Sequence, residues 1–152
     1  EKIALFGVGS SGIVASDAYQ KLIRINKNVL FNADTHVQRA YASMLTENDL
    51  ALAITTRGRT KEVNQSLDIA QQSNCTIAAI TRYGKTPTSK IADLILPFAY
   101  KERHQELGMI TPQLSQMMLF DILYFRVTAL MGETATSSLK RIRSNFSDLN
   151  SN

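Results

Sequence analysis

Short, nearly continuous apolar runs alternate along the chain with stretches whose apolar residues recur every three or four positions. The apolar runs are KIALFG (2–7), NVLF (28–31), DLALAI (49–54), CTIAAI (75–80) and DLILPF (93–98). Unbroken apolar runs of this length are typical of strands that helices cover on both faces. The pattern therefore predicts an α/β fold, with a doubly wound, flavodoxin-like parallel sheet of about five strands flanked by helices.

Helical spacing fills the segments between these runs. It predicts helices over 11–25, 34–46 and 60–73, and a short one over 88–92. Asp34 stands at the start of the second helix and is predicted to be its N-cap. Because domains usually have about 100–200 residues, the 152 residues are predicted to form a single domain.

The chain departs from this alternation after residue 98. Residues 99–110 are polar and irregular and are predicted to form a loop. The following stretch, 111–132, is apolar on nearly every side, with Thr111 as predicted N-cap, Pro112 in the first helical position and Gly132 as C-terminal cap. A helix that is apolar all round is buried, often against another subunit, so we expect a homodimer or a higher homo-oligomer. A weaker helix is predicted over 137–152.

Composition and charge narrow the class of protein. The chain is 44% hydrophobic and 20% charged, with a net charge of +4, which fits a folded domain with a mild preference for anions. Cys75, the single cysteine, opens an apolar run and is predicted to be a buried thiol in a cytoplasmic protein. No run approaches the ~18 apolar residues of a membrane span, so no membrane contact is expected. A strand pattern that begins at Glu1 suggests a domain cut from a longer protein.

Two polar loops follow the first and third predicted strands: GVGSSG (7–12) and TTRGRT (55–60). In the strand order 2-1-3-4-5 these strands are neighbours, so both loops face one crevice at the carboxyl edge of the sheet. Glycines allow a ligand to approach the backbone, and two helix N-termini favour an anion. The loop residues predicted to bind a phosphate monoester are Ser10, Ser11, Thr55, Thr56, Arg57, Gly58 and Thr60.

Other interpretations of these residues stay open at this stage. The hydroxyls could simply cap the two helices. GVGSSG also fits the dinucleotide fingerprint, with Asp34 22 positions after Gly12, so a nicotinamide-binding domain is an alternative. His104, with Glu102 and Glu106, is the candidate for acid–base chemistry in an isomerase, whereas His36 is predicted to be a surface residue. No residue spacing supports a metal site.

Four segments together resemble a known family: FGVGSSGIVASDAYQKLIRINKNV, ADTHVQ, DLALAITTRGRTKEV and KIADLILP. They are similar to the sugar isomerase (SIS) domain, and more narrowly to the effector domain of RpiR/MurR-type bacterial transcription regulators, over nearly the whole chain. The resemblance implies a domain that binds a phosphorylated sugar and senses this ligand for a regulator. We expect no catalytic residue, because the motif residues offer no convergent acid–base set, and no cofactor. DNA contact would then come only through an N-terminal helix-turn-helix domain that is absent from this chain.

The resemblance also assigns roles to individual loop residues. The phosphate-binding serine of the family's first loop matches Ser11, with Ser10 beside it. The second loop of the family reads Ser-x-Ser-Gly-x-Thr-Lys-Glu; Thr55 and Thr60 keep hydroxyls there, whereas Arg57 replaces the second serine. Arg57 either adds charge to the phosphate site or fills the pocket. A sugar-phosphate isomerase is the alternative that the family leaves open.

Overall fold

The structure, a computed structural model, describes residues 1–100 and 110–147. The strands are β1 (Ile3–Phe6), β2 (Val29–Leu30), β3 (Leu50–Ile54), β4 (Thr76–Arg82) and β5 (Leu94–Phe98). The helices are α1 (Ser10–Arg24), α2 (Thr35–Ser43), α3 (Lys61–Gln71), α4 (Pro87–Ile91), α5 (Ile110–Met131) and α6 (Glu133–Ser147). Each predicted strand and each helix between strands is present, with ends shifted by a few residues.

The strands in the described residues form one sheet in the order β2-β1-β3-β4-β5, with every neighbouring pair parallel. The predicted flavodoxin-like order is therefore confirmed. In the register of β1 and β3, Ile3 lies opposite Leu50 and Phe6 opposite Ala53. Because parallel strands end at the same edge, the loops after Phe6 and Ile54 leave the sheet side by side.

Alternate residues of each strand point to opposite faces of the sheet, and each face has its own core. Leu5 and Ile54 belong to the core that includes Phe120 of α5. Phe6 belongs to the other core, which includes Leu67 of α3. Both faces of the strands are therefore buried, which explains why the sequence shows unbroken apolar runs rather than alternation. Cys75 is buried as predicted.

Helix α5 begins earlier than predicted. It starts at Ile110, so Thr111 lies inside the helix and is not its N-cap. Pro112 is tolerated there because the first N–H groups of a helix have no partner within the helix. The C-terminal prediction is confirmed, since α5 ends at Met131 and Gly132 has a φ of +55°. Residues 101–109, which include most of the predicted loop, and 148–152 lie outside the described residues.

The two faces of α5 differ sharply in exposure. Phe120 is 1% exposed and packs into the core with Leu123 and Val127. The opposite side, here named the outer α5 face, consists of Leu114, Met118, Ile122 and Phe125, which are 58–78% exposed. The prediction that this helix is buried on all sides is therefore wrong for a single copy of the chain. One face is covered by the sheet, and a second apolar face is left to solvent.

By length and composition alone, the segment Pro112–Met131 could cross a membrane, with a mean hydropathy of 1.3. The expectation that no stretch of the chain reaches this threshold is therefore wrong. The helix nevertheless carries a charged residue, Asp121, which forms an ion pair with Lys21 of α1. Partial burial lowers the pKa of Lys21, but its hydrogen bonds to Asp121 and Asp17 outweigh this effect and raise the pKa. This packing joins α5 to α1 on one face of the sheet.

Candidate functional site

The first loop, residues 7–12, is shaped by two glycines. A Cβ on Gly7 would lie 2.8 Å from the carbonyl oxygen of Ser11, so only glycine fits where β1 turns into α1. Gly9, the N-cap residue of α1, has φ +59° and ψ −130°, a conformation that L side chains rarely adopt. This tight turn places Ser10 and Ser11 in the first turn of α1. The unpaired N–H groups of that turn favour an anion.

Gln38 of α2 holds the first loop in place through hydrogen bonds. Its side chain is 1% exposed. Its Nε2 donates to the carbonyl oxygens of Gly7 at 2.9 Å and Asn32 at 2.8 Å, and its Oε1 accepts from the Gly7 N–H at 3.3 Å. Gln38 was not among the residues predicted from the sequence. The available signal was a glutamine among apolar residues on one helix face, since an amide buried there has to be hydrogen-bonded.

The second loop, residues 55–60, is held against β4 and α4. The Thr55 N–H donates to the Ile80 carbonyl and the Thr88 N–H donates to the Gly58 carbonyl. Gly58 has φ +63°, and a Cβ there would lie 2.3 Å from Thr86 Oγ1. Both its conformation and its neighbour therefore require glycine.

The hydroxyls of the two loops do not cap the helices that follow them. In this described part of the chain, neither α1 nor α3 has a side-chain N-cap hydrogen bond, although Thr60 occupies the N-cap position of α3. Thr60 Oγ1 instead lies 3.3 Å from Thr55 Oγ1. Asp34 shows the contrast, because its Oδ1 accepts from the His36 N–H at 2.7 Å and caps α2 as predicted. The capping interpretation therefore fails for the loop hydroxyls.

Gln116 of α5 lies between the two loops. It is fully buried. Its Nε2 lies 3.2 Å from Ser11 Oγ and 3.3 Å from Thr56 Oγ1, and its Oε1 lies 3.3 Å from Ser11 Oγ. A hydroxyl from each loop thus contacts one amide group, which confirms that the topology brings the loops together. Gln116 was not predicted from the sequence, because it is one polar residue in a stretch that is otherwise mostly apolar.

The predicted site residues fall into three classes of exposure. Ser11, Thr55 and Gly58 are buried, and Ser10, Thr56 and Thr60 are half-buried. Arg57 is exposed, as are Arg59 and Lys61. Neutral hydroxyls therefore lie at two neighbouring helix N-termini, with exposed cations close by in sequence. That these residues bind phosphate remains a prediction.

The remaining titratable candidates lie outside this cluster or outside the described residues. His36 is 88% exposed at its side chain, as predicted for a surface residue, and lies 3.3 Å from Asp34. The backbone N–H of His36 lowers the pKa of Asp34, which fits a capping carboxylate better than a ribose-binding one. His104, Glu102 and Glu106 lie outside the described residues. Among residues 1–100 and 110–147, no group of three or more metal-ligating side chains could hold an ion.

Comparison with known proteins relates this chain to a domain family. A family model described as "SIS domain" matches residues 1–126. An uncharacterised HTH-type transcriptional regulator of Providencia stuartii is 43% identical over 143 residues, covering 94% of this chain and 51% of that protein. The HTH-type transcriptional regulator HexR of Escherichia coli is 30% identical over 143 residues, covering 94% of this chain and 49% of HexR. This chain therefore spans about half the length of these curated relatives.

Solved structures show the same fold. NanR of Vibrio vulnificus, solved in complex with ManNAc-6P, superposes with a TM-score of 0.88 at 25% identity, covering all of this chain and 57% of that one. A structure named as a sugar-phosphate isomerase, from Listeria monocytogenes, has a TM-score of 0.76 at 20% identity, covering 86% of this chain and 69% of that one, which shows the fold alone. The family match covers most of the chain and carries both loops of the candidate site. The chain therefore belongs to the SIS domain family.

Proposed function

We propose that this chain is the phosphosugar-sensing domain of a bacterial HTH-type transcription regulator. One observation carries the proposal: two glycine-shaped loops, each at a helix N-terminus, present hydroxyls that cap no helix and that meet at Gln116. An acceptor-only dianion such as a phosphate monoester is the ligand that hydroxyl donors and unpaired N–H groups satisfy best. Arg57 is exposed, which favours a role in attracting the anion over a role in filling the pocket.

The relatives support the regulatory part of the proposal. HexR and the Providencia protein are HTH-type regulators of about twice this length, and NanR was solved with a phosphosugar bound. By analogy, the half that this chain does not match would supply the DNA contact, and the SIS domain would supply the effector site. The proposal includes a cytoplasmic location, because the DNA of a bacterial cell lies there.

The outer α5 face supports self-association. A soluble protein rarely leaves a row of large apolar side chains such as Met118 and Phe125 uncovered. A second copy of this chain offers an identical apolar face. Two identical faces that pair about a two-fold axis form the commonest kind of oligomer. We therefore include a homodimer through the outer α5 face in the proposal.

A thermal-shift screen of phosphorylated sugars tests the ligand. A ligand at 100 times its dissociation constant stabilises the fold by about 2.7 kcal/mol, and each kcal/mol moves the melting temperature of a domain of this size by roughly 2–4 °C. The true effector is therefore expected to raise it by about 5–10 °C. The same sugar without its phosphate should have a far smaller effect. A panel of phosphosugars, ManNAc-6P included, that gives no shift would contradict the proposal.

Variants locate the site. Ser11→Ala and Thr60→Ala should shrink the ligand-induced shift, whereas Ser43→Ala, a matched change at an exposed serine of α2, should leave it unchanged. Thr60→Ala should cost little stability by itself, because Thr60 makes no side-chain cap. Arg57→Ser should shrink the shift and reduce its sensitivity to salt. A larger shift in Arg57→Ser would show that Arg57 obstructs the pocket instead.

A turnover assay tests the alternative that the domain is a sugar-phosphate isomerase. Isomerisation of a sugar phosphate needs a positioned acid or base, and the loop residues described above supply only hydroxyls, amides and guanidinium groups. The proposal therefore predicts no turnover of the phosphosugar that gives the largest thermal shift. Steady aldose–ketose conversion that His104→Ala abolishes would establish the isomerase instead.

A further inference from the structure

Gln116 joins three parts of the molecule that the proposed function treats separately. It belongs to α5, contacts Ser11 at the start of α1, and contacts Thr56 in the second loop. Gln116 is fully buried, and the other buried residues of α5 include Phe120 and Pro112, which are apolar. A buried amide of this kind is costly unless its hydrogen bonds are made. Its position therefore depends on where the two loop hydroxyls lie.

The donor and acceptor groups of the Gln116 amide determine which way the two loop hydroxyls point their protons. The Nε2 group has two N–H donors, and the two hydroxyls within 3.3 Å of it can each accept one of them. A hydroxyl that accepts from Gln116 keeps its own proton, which it can then donate to an anion. The amide thus orients Ser11 and Thr56 as donors toward the crevice.

Gln116 also lies next to the apolar face that we assign to self-association. Leu114 and Met118 of the outer α5 face stand two residues before and two residues after it, on the opposite side of the helix. A change in the position of the Gln116 side chain therefore acts on the backbone turn that carries those two residues. Interfaces of packed helices respond to such small shifts because they have discrete packing arrangements.

We propose that Gln116 is the positioning residue that couples phosphate in the two loops to the outer α5 face. The proposal rests on the proposed function. When an anion accepts hydrogen bonds from Ser11 and Thr56, both hydroxyls become fixed acceptors for Nε2, and α5 is held in one position. Without the anion, Ser11 can instead donate to Oε1, which lies 3.3 Å away, and the contact with Thr56 is free to break.

Hydrogen–deuterium exchange with inorganic phosphate as the probe tests this coupling without knowledge of the sugar. In the wild-type chain, phosphate should slow exchange in both loops and along 114–122, with potassium chloride at equal ionic strength as the reference. The slowing along α5 should reach at least about fivefold, the lower end of the usual coupling between linked sites. Protection of the loops with no change along α5 would overturn the coupling alone. No protection of the loops in the wild type would contradict the proposed function and this inference with it.

Two substitutions of nearly equal size should have opposite effects. Gln116→Leu has no amide, so phosphate should still protect the loops but no longer α5. Gln116→Glu, at a pH high enough to ionise the carboxyl group in this buried position, accepts hydrogen bonds but cannot donate them. It should therefore accept hydrogen bonds from both hydroxyls, abolish phosphate protection of the loops, and protect α5 without phosphate. A purely structural role would make both variants lose protection everywhere. Equal α5 protection by phosphate in wild type and Gln116→Leu would refute the inference.

A control on the same pair of helices separates this effect from general loosening. Asp121→Asn removes the negative charge from a second polar contact between α1 and α5, the ion pair with Lys21. Because that pair lies away from the loops, phosphate should still protect α5 in this variant. Loss of α5 protection in Asp121→Asn as well as in Gln116→Leu would show that any weakening of the α1–α5 contact suffices, and would overturn the specific role of Gln116.

Discussion

Gly58 allows the second loop to adopt a shape that no other residue type would permit without strain. Its φ of +63° alone would cost an L residue about 1–2 kcal/mol. A side chain would also meet Thr86, whose Oγ1 would lie 2.3 Å from the new Cβ. Thr86 cannot easily move, because its hydroxyl accepts from the Ser89 N–H as the N-cap of α4.

We therefore expect Gly58→Ala to destabilise the fold by the conformational cost and by roughly a further 1–3 kcal/mol of overpacking. Gly132→Ala is the matched control, since Gly132 has φ +55° and a Cβ added there would meet nothing within 4 Å. Free energies of unfolding from urea titration give the comparison. Equal losses in the two variants would mean that Thr86 yields to the new methyl group.

Asp49 is the residue that ties the first strand to the third. Its carboxylate accepts from the Lys2 backbone N–H at 2.6 Å and from the Thr46 N–H and hydroxyl at 2.9 Å, and Lys2 Nζ lies 3.1 Å away. The Lys2 N–H, followed by the other donors, outweighs burial and holds the pKa of Asp49 far below its usual range. The ionised form is thus favoured by folding.

A carboxyl group with a lowered pKa in the folded state stabilises the fold above its unfolded pKa, about 3.9 for aspartate. That contribution is lost as the pH falls below this value toward the folded pKa. Asp49→Asn should therefore be less stable than the wild type at neutral pH, and the gap should narrow on acidification. Urea unfolding over this pH range measures the gap, with the exposed Asp68→Asn as control. A gap that is constant with pH would show that the charge of Asp49 contributes nothing.

At the scale of elements, helix α5 has two apolar faces that differ in their burial. Its inner face completes the core with Phe120, while its outer face leaves Met118 and Phe125 exposed. A helix with this distribution cannot be recognised from its own periodicity, because both sides are apolar. Only the packed sheet shows which side is covered within one copy of the chain.

Met118→Glu tests whether a second copy covers the outer α5 face. Burying such a side chain contributes about 1.5–3 kcal/mol. Because a symmetric dimer buries it twice, the substitution should weaken the dimer by roughly two to four powers of ten. Met44→Glu is the matched control at the end of α2, where Met44 is 57% exposed compared with 68% for Met118. Sedimentation velocity over a concentration series measures the change, and a wild-type chain that stays monomeric at micromolar concentration would contradict the dimer.

Most of the element order was predictable from the sequence because local periodicity and strand burial agree throughout the sheet. The facing of the two loops followed from topology, since β1 and β3 are neighbours in the observed order. The roles of the amides Gln38 and Gln116 were not predicted, because their contacts with the two loops span 31 or more positions of sequence. The start of α5 was also misjudged, since Thr111 and Pro112 form a start signal that the structure places inside the first turn.

At the scale of the whole molecule, the proposed function makes the two halves of a longer regulator thermodynamically dependent. If phosphosugar in the SIS domain changes the affinity of the full-length protein for its DNA by some factor, DNA must change the affinity for phosphosugar by the same factor. The usual range of such coupling is about 5–150-fold. The sign depends on which conformation binds DNA better, but the equality does not.

Under the proposed function, a full-length regulator that contains this domain is expected to show equal factors in two separate titrations. Calorimetry would give phosphosugar affinity with and without operator DNA, and fluorescence anisotropy would give DNA affinity with and without phosphosugar, both at one salt concentration because DNA binding depends on salt. Met118→Glu should reduce both factors together if the outer α5 face carries the signal between subunits. Ser11→Ala should weaken phosphosugar binding both with and without DNA. Phosphosugar that binds tightly but leaves DNA affinity unaltered would show that this SIS domain holds its ligand for some purpose other than regulation, since a ligand with equal affinity for both states shifts neither.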